Sequence, residues 1–114
     1  MDEAAELKTR FGKLLAVHRK RRGMTQDKLA GVSGLSPDMI ARIETGGSGV
    51  RFPNIQRLAT ALEIDPAELF SPDIPRGALK RAALTNLTAR LAGLSDADLA
   101  WVSDLIEVAL KSRR

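Results

Sequence analysis

The chain has 114 residues, 44% of them apolar and 28% charged, with a net charge of +4. That composition excludes global disorder and fits one small domain, or a small domain with an accessory element. The absence of cysteine excludes disulfides, thiolate metal sites and cysteine nucleophiles, and no apolar run approaches the roughly 20 residues that span a bilayer.

The acidic start, MDEAAELKTR, lacks the apolar segment of a secretory signal, so the expected location is the cytoplasm. Helix one is predicted over about residues 4–22, with Leu7, Phe11, Leu14, Leu15 and His18 on one face and Gly23 as its stop. Between Lys8 and Lys28 the chain places Lys8, Arg10, Lys13, Arg19, Lys20, Arg21, Arg22 and Lys28 against Asp27 alone. A stretch so one-sided in charge is a footprint for phosphate.

Thr25 suits the N-cap of a second helix whose Leu29, Ala30 and Ser33 face inward. Gly34 permits a tight turn and Leu35 plugs the corner. Ser36 caps a third helix, and Pro37 takes its first position, where a missing N–H is harmless. Ile40 and Ile43 give that helix a buried side, and Thr45-Gly46-Gly47 ends it. Two short helices joined at a steep angle by a glycine turn are the geometry that seats a helix in the DNA major groove. Residues 46–53, GGSGVRFP, form a glycine-rich loop. It is followed by no Lys-Ser or Lys-Thr pair and so lacks the pattern of a nucleotide-binding loop.

Asn54 is expected to cap a fourth helix striped by Ile55, Leu58, Ala59 and Leu62. Asp65-Pro66 opens a short fifth helix that ends in Leu69-Phe70. The predicted core is Phe11, Leu29, Ile40, Ile43, Leu58, Leu62 and Phe70. The expected organisation is a domain over residues 1–70, a proline-containing linker over 71–76 and a helical hairpin over 77–114. The hairpin's helices are predicted at about 77–91 and 96–111, joined at Gly93 with Ser95 as N-cap. The last carries a wide apolar stripe.

The segment TQDKLAGVSGLSPDMIARIETG, Thr25–Gly46, resembles the lambda-repressor-like, Cro/C1-type helix-turn-helix family, also called the Xre family. The resemblance covers about residues 7–70. It rests on Gln26, the Leu29-Ala30 pair, Gly34, Leu35, Ile40 and the Ile43-Glu44-x-Gly46 ending, and on the closing stretch ATALEIDPAELF. It implies an all-α fold, a five-helix DNA-binding domain here followed by the hairpin, and sequence-specific binding of double-stranded DNA. It implies an Arg19–Glu44 ion pair tying helix one to the end of helix three. Such a pair is costly to desolvate but fixes orientation.

The resemblance also points Ser36, Pro37, Asp38, Met39, Ala41 and Arg42 toward base edges. Arg42 is the first choice, because a guanidinium matches guanine O6 and N7. Asp38 could accept from cytosine N4 or simply favour the helix N-terminus by its charge. Ser36 is first a cap, and Met39 stands between core filler and groove contact. Gln26, Arg22, Lys28 and Arg51 are the expected phosphate partners, which set register rather than sequence choice.

A single recognition helix reads few base pairs, and two-fold dimers solve this by reading two half-sites. The hairpin is the expected dimer contact, through Leu99, Trp101, Val102, Leu105, Ile106 and Leu110. Packing onto the first domain and binding another protein are the alternatives. The expected function is that of a dimeric transcriptional repressor. An antitoxin of a toxin–antitoxin pair and a restriction–modification controller are the other readings. His18 is the sole histidine, so neither a metal site nor a nucleophilic triad is indicated. No cofactor and no enzymatic activity are expected.

Overall fold

The computed structural model describes residues 2–75 and 77–113, and among these it contains helices and no strand. Arg76, the last residue of the expected linker, and the terminal residues 1 and 114 lie outside the described residues. Helix α1 is Glu3–Arg21, α2 Gln26–Ser33, α3 Pro37–Glu44 and α4 Phe52–Leu62. Two 3-10 turns follow, Pro66–Leu69 and Ala78–Lys80, and then α5, Ala82–Leu91, and α6, Asp96–Lys111. The chain divides into two compact units after Lys80. Among the described residues no helix is long and apolar enough to cross a membrane.

The boundaries follow from local chemistry. Asp2 caps α1 by accepting from the Ala5 N–H at 2.7 Å, and Arg19–Arg21 sit in the last turn, where the helix dipole favours cations. Thr25 Oγ1 accepts from the Lys28 N–H at 3.0 Å at the start of α2, and Ser36 Oγ accepts from the Met39 N–H at 3.1 Å at the start of α3. Between them Gly34 stands at φ +80°, a left-handed conformation that suits a residue without Cβ.

Three expectations change. Asn54 is not the cap of α4. The helix begins at Phe52, because Pro53 presets a helical φ and the Arg51 carbonyl already accepts from the N–H groups of Asn54 and Ile55. The fifth helix is a 3-10 turn, held by a capping box in which Asp65 accepts from the Ala67 N–H and Glu68 accepts from the Asp65 N–H. The expected helix over 77–91 is broken. Gly77 is left-handed with its N–H bonded to Glu68 Oε1 at 2.8 Å, and Arg81 is extended, so the continuous helix starts only at Ala82.

The core of the first unit joins α1 to α4 and the first 3-10 turn. Leu15, Leu29, Ile40, Ile43, Leu58, Leu62 and Leu69 are essentially inaccessible, and Phe11 is buried beside them. Phe70 is half-buried, its ring 5.1 Å from that of Phe11. Each fully buried aliphatic side chain contributes about 1.5–3 kcal/mol of transfer free energy. His18 is part of this packing, buried with Nε2 3.0 Å from the Glu68 carbonyl oxygen. In the second unit no helical residue is buried.

Candidate nucleic-acid interface

Helix α3 has two unlike sides. Ile40 and Ile43 are fully buried, whereas Ser36, Pro37, Asp38 and Arg42 are exposed. Eight residues thus suffice to anchor the helix and to present a polar face. Arg42 Nε lies 3.6 Å from Asp38 Oδ2 one turn back, an exposed pairing that water screens strongly. Met39 and Ala41 are half-buried at the edge. Met39 packs against the core and its sulfur accepts from the Asn54 side-chain amide at 4.0 Å.

The far end of α3 is held by charge. Arg19 Nε donates to Glu44 Oε2 at 2.7 Å and its Nη2 donates to Oε1 at 3.0 Å, while Nη1 donates to the Met24 carbonyl at 2.8 Å. The Gln26 side-chain amide donates to Glu44 Oε1 at 3.1 Å. The two charged side chains are nearly closed off from solvent. Burial pushes the Glu44 carboxyl up, but hydrogen bonds from Arg19 and Gln26 and the positive charges of Arg19 and Lys20 outweigh it. The carboxyl is held below its ordinary value. The Glu44 hydrogen bond correspondingly raises Arg19 against the desolvation that opposes it. The pair therefore stays ionised and clamps the ends of three helices.

Backbone proximity adds a steric lock. A Cβ on Gly12 would stand 2.2 Å from the Ile43 carbonyl oxygen and 2.9 Å from that of Glu44. Only glycine lets α1 approach the last turn of α3 so closely.

The remaining site residues are less uniform. Arg22 pairs with Glu63, and Gln26 is engaged with Glu44. Lys28 and Arg51 are exposed and form no ion pair among the described residues. Arg51 is the N-cap of α4 without a side-chain capping bond, and Phe52 beside it is 85% exposed. Neither the Gln26–Glu44 bond nor the exposure of Phe52 was foreseen from sequence. Glu44 could have signalled the first, as a buried carboxylate with acceptor capacity to spare; no periodic pattern marks the second. On α6, Leu99, Trp101, Leu105, Ile106 and Leu110 are exposed and Val102 is half-buried. No cluster of His, Cys, Asp and Glu that could hold a metal is present among the described residues.

A family model described as a helix-turn-helix domain matches residues 10–70. Among solved structures, the restriction-modification controller protein C.AhdI from Aeromonas hydrophila is 41% identical. That match covers 55% of this chain and 96% of the controller, with a TM-score of 0.55. An HTH_3 family transcriptional regulator from Vibrio cholerae is 28% identical over 61% of this chain and 39% of its own, with a TM-score of 0.59. The clp gene regulator ClgR from C. glutamicum is 27% identical over 55% of this chain and 82% of its own, with a TM-score of 0.53. No curated protein matches the chain. The buried-and-exposed third helix, the glycine turn before it and the family match over most of the first unit lead to one assignment: the chain belongs to the lambda-repressor-like, Cro/C1-type helix-turn-helix family of DNA-binding transcriptional regulators.

Proposed function

We propose that the protein is a dimeric repressor that occupies a two-fold operator, one α3 in each of two successive major grooves. The observation that carries this reading is the division of α3 into a buried Ile40–Ile43 side and an exposed Ser36–Pro37–Asp38–Arg42 side, clamped by Arg19 and Glu44. Arg42 reads a guanine, with Asp38 released from its weak pairing to accept from a neighbouring base. Ser36, Pro37 and Met39 complete the base-facing set. Lys28 and Arg51 bind phosphate on either side, while Arg22 and Gln26 act from positions already tied to Glu63 and Glu44. The 77–114 segment joins two copies, which sets the half-sites about 34 Å apart. Repression follows by covering a promoter.

The test is footprinting of the full chain on DNA from upstream of its own gene, at two salt concentrations. Protection of two half-sites one helical turn apart, lost on Arg42→Ala substitution, supports the reading. Protection without sequence choice, or of a single half-site at saturation, overturns it. A second reading is favoured by one observation, the 41% identity to C.AhdI over nearly all of that controller. In that case the operator lies beside restriction and modification genes, and the 77–114 segment is an addition to a controller-like first unit.

A further inference from the structure

We propose that the first unit binds a small arylalkanoic acid in a cavity beside the loop that leads to Arg51, and that the bound acid weakens DNA binding. The cavity has a volume of about 220 Å³ and lies between the first half of α1, residues 48–50, Ile55 of α4 and Phe70. Phe11 and Ile55, both nearly closed to solvent, form its floor, and Leu7, Val50 and Phe70 its sides. A dry apolar cavity of about 150 Å³ takes up benzene, so this one has room for a phenyl ring and about two further carbons. Leu7 is 41% exposed, and an apolar guest would cover it.

The polar groups at the cavity are mostly donors. Lys8 is the only charged residue that lines it; it is exposed and forms no ion pair among the described residues. Its neighbours one turn away on α1 are Ala4, Ala5, Phe11 and Gly12, so the helix offers it no carboxylate. The N–H groups of Ser48, Gly49 and Val50 find no partner among the described residues, whereas the Gly49 carbonyl already accepts from the Ser48 hydroxyl at 3.0 Å. An ammonium beside unpaired N–H groups calls for an anion. An alcohol would leave the charge unmatched and an amine would meet a like charge. Inorganic phosphate would match the donors but leave the apolar sides wet. A carboxylate on a short apolar body satisfies both halves of the cavity.

Residues 48–50 run directly into Arg51. A carboxylate held by Lys8 and this loop opposes the approach of a phosphate to Arg51 by like charge. This effect on DNA rests on the phosphate contact proposed for Arg51 above; binding of the acid does not, and the two are measured separately.

The first measurement is an amide NMR titration of the full chain with phenylpropionate, phenylpropanol, phenylpropylamine and inorganic phosphate. Phenylpropionate should shift the resonances of Leu7, Gly49, Val50 and Phe70 saturably. Phenylpropanol should bind about fivefold more weakly, the share of one exposed ion pair, and phosphate should leave the apolar positions in place. Lys8→Glu, a change at an exposed site of α1, should reverse the preference so that phenylpropylamine binds better than the acid. Absence of saturable shifts, equal binding of acid and alcohol, or a preference for the acid that persists in Lys8→Glu overturns the site. The second measurement is affinity for DNA from upstream of the protein's own gene. Saturating phenylpropionate, compared with equal sodium acetate, should raise the dissociation constant about threefold in wild type and leave it unchanged in Lys8→Glu. Shifts at the cavity without any change in DNA affinity overturn the coupling to Arg51 and leave the site standing.

Discussion

The two units of this chain use the same ingredient, helices striped with leucine, isoleucine and valine, and reach opposite states. In the first, residues from Phe11 to Leu69 close over one another until eight large side chains, seven aliphatic ones and Glu68, have almost no accessible surface. In the second, α5 and α6 carry comparable stripes and bury no residue. The difference lies in how many helices share the job. Four helices and a 3-10 turn give each stripe of the first unit a partner, whereas a pair of helices gives each stripe one neighbour at most. Apolar periodicity thus specifies a helix and a face; it does not specify what covers the face.

The sharpest way to break the comparison is to cut one residue from each unit. Leu58→Ala should lower the stability of the first unit by about 2–5 kcal/mol, read as a shifted urea midpoint. Leu87→Ser, in α5, should leave that midpoint in place. If both move it alike, the units do not unfold independently.

Next in size is the clamp on α3. Glu44→Ala strands the nearly enclosed Arg19 guanidinium and should destabilise the first unit by about 3 kcal/mol. Its pH signature has a definite sign. Because folding depresses the Glu44 pKa, its contribution is fully present above the unfolded value of about 4.3 and is lost as pH falls through the lower folded value. The stability gap between wild type and Glu44→Gln should therefore be widest near neutrality and close in acid. A gap that widens on acidification would contradict the ion-pair account.

Smaller effects test the exposed face. Arg42→Ala should cost about 1–3 kcal/mol of binding at one base-pair position and leave other positions unaffected. Arg51→Ala should weaken binding to all sequences and make the logarithmic salt dependence shallower by about 0.9, the share of a single neutralised phosphate. A base-specific effect at Arg51 and a uniform one at Arg42 would exchange their roles.

Much of the first unit was legible because its signals are local. Thr25 and Ser36 are capping residues, Gly34 is a turn glycine, and Ile40 and Ile43 share a face. What misled was chemistry that depends on partners distant in sequence. Gly77 looked like the start of a helix, but Glu68, nine residues earlier, holds its N–H. Asn54 is a good cap by type, yet Pro53 had already begun the helix. Gly12 carries no signal at all in a helical stretch; only the approach of the Ile43 carbonyl explains it. In the site, the outward positions of α3 follow from its period, whereas the bond between Gln26 and Glu44 needs three helix ends brought together.

The Glu68 carboxylate redraws where the DNA-binding piece of this chain stops. It is completely buried, closes the 3-10 turn through the Asp65 N–H and reaches forward to the Gly77 N–H at 2.8 Å. Pro72 and Pro75 thus lie between Glu68 and the Gly77 N–H that its carboxylate holds. A fragment ending at Phe70 would discard that bond and leave a buried oxygen without its donor, whereas one ending at Lys80 would keep it. The first fragment should melt earlier than the second, although every residue of the helix-turn-helix is present in both.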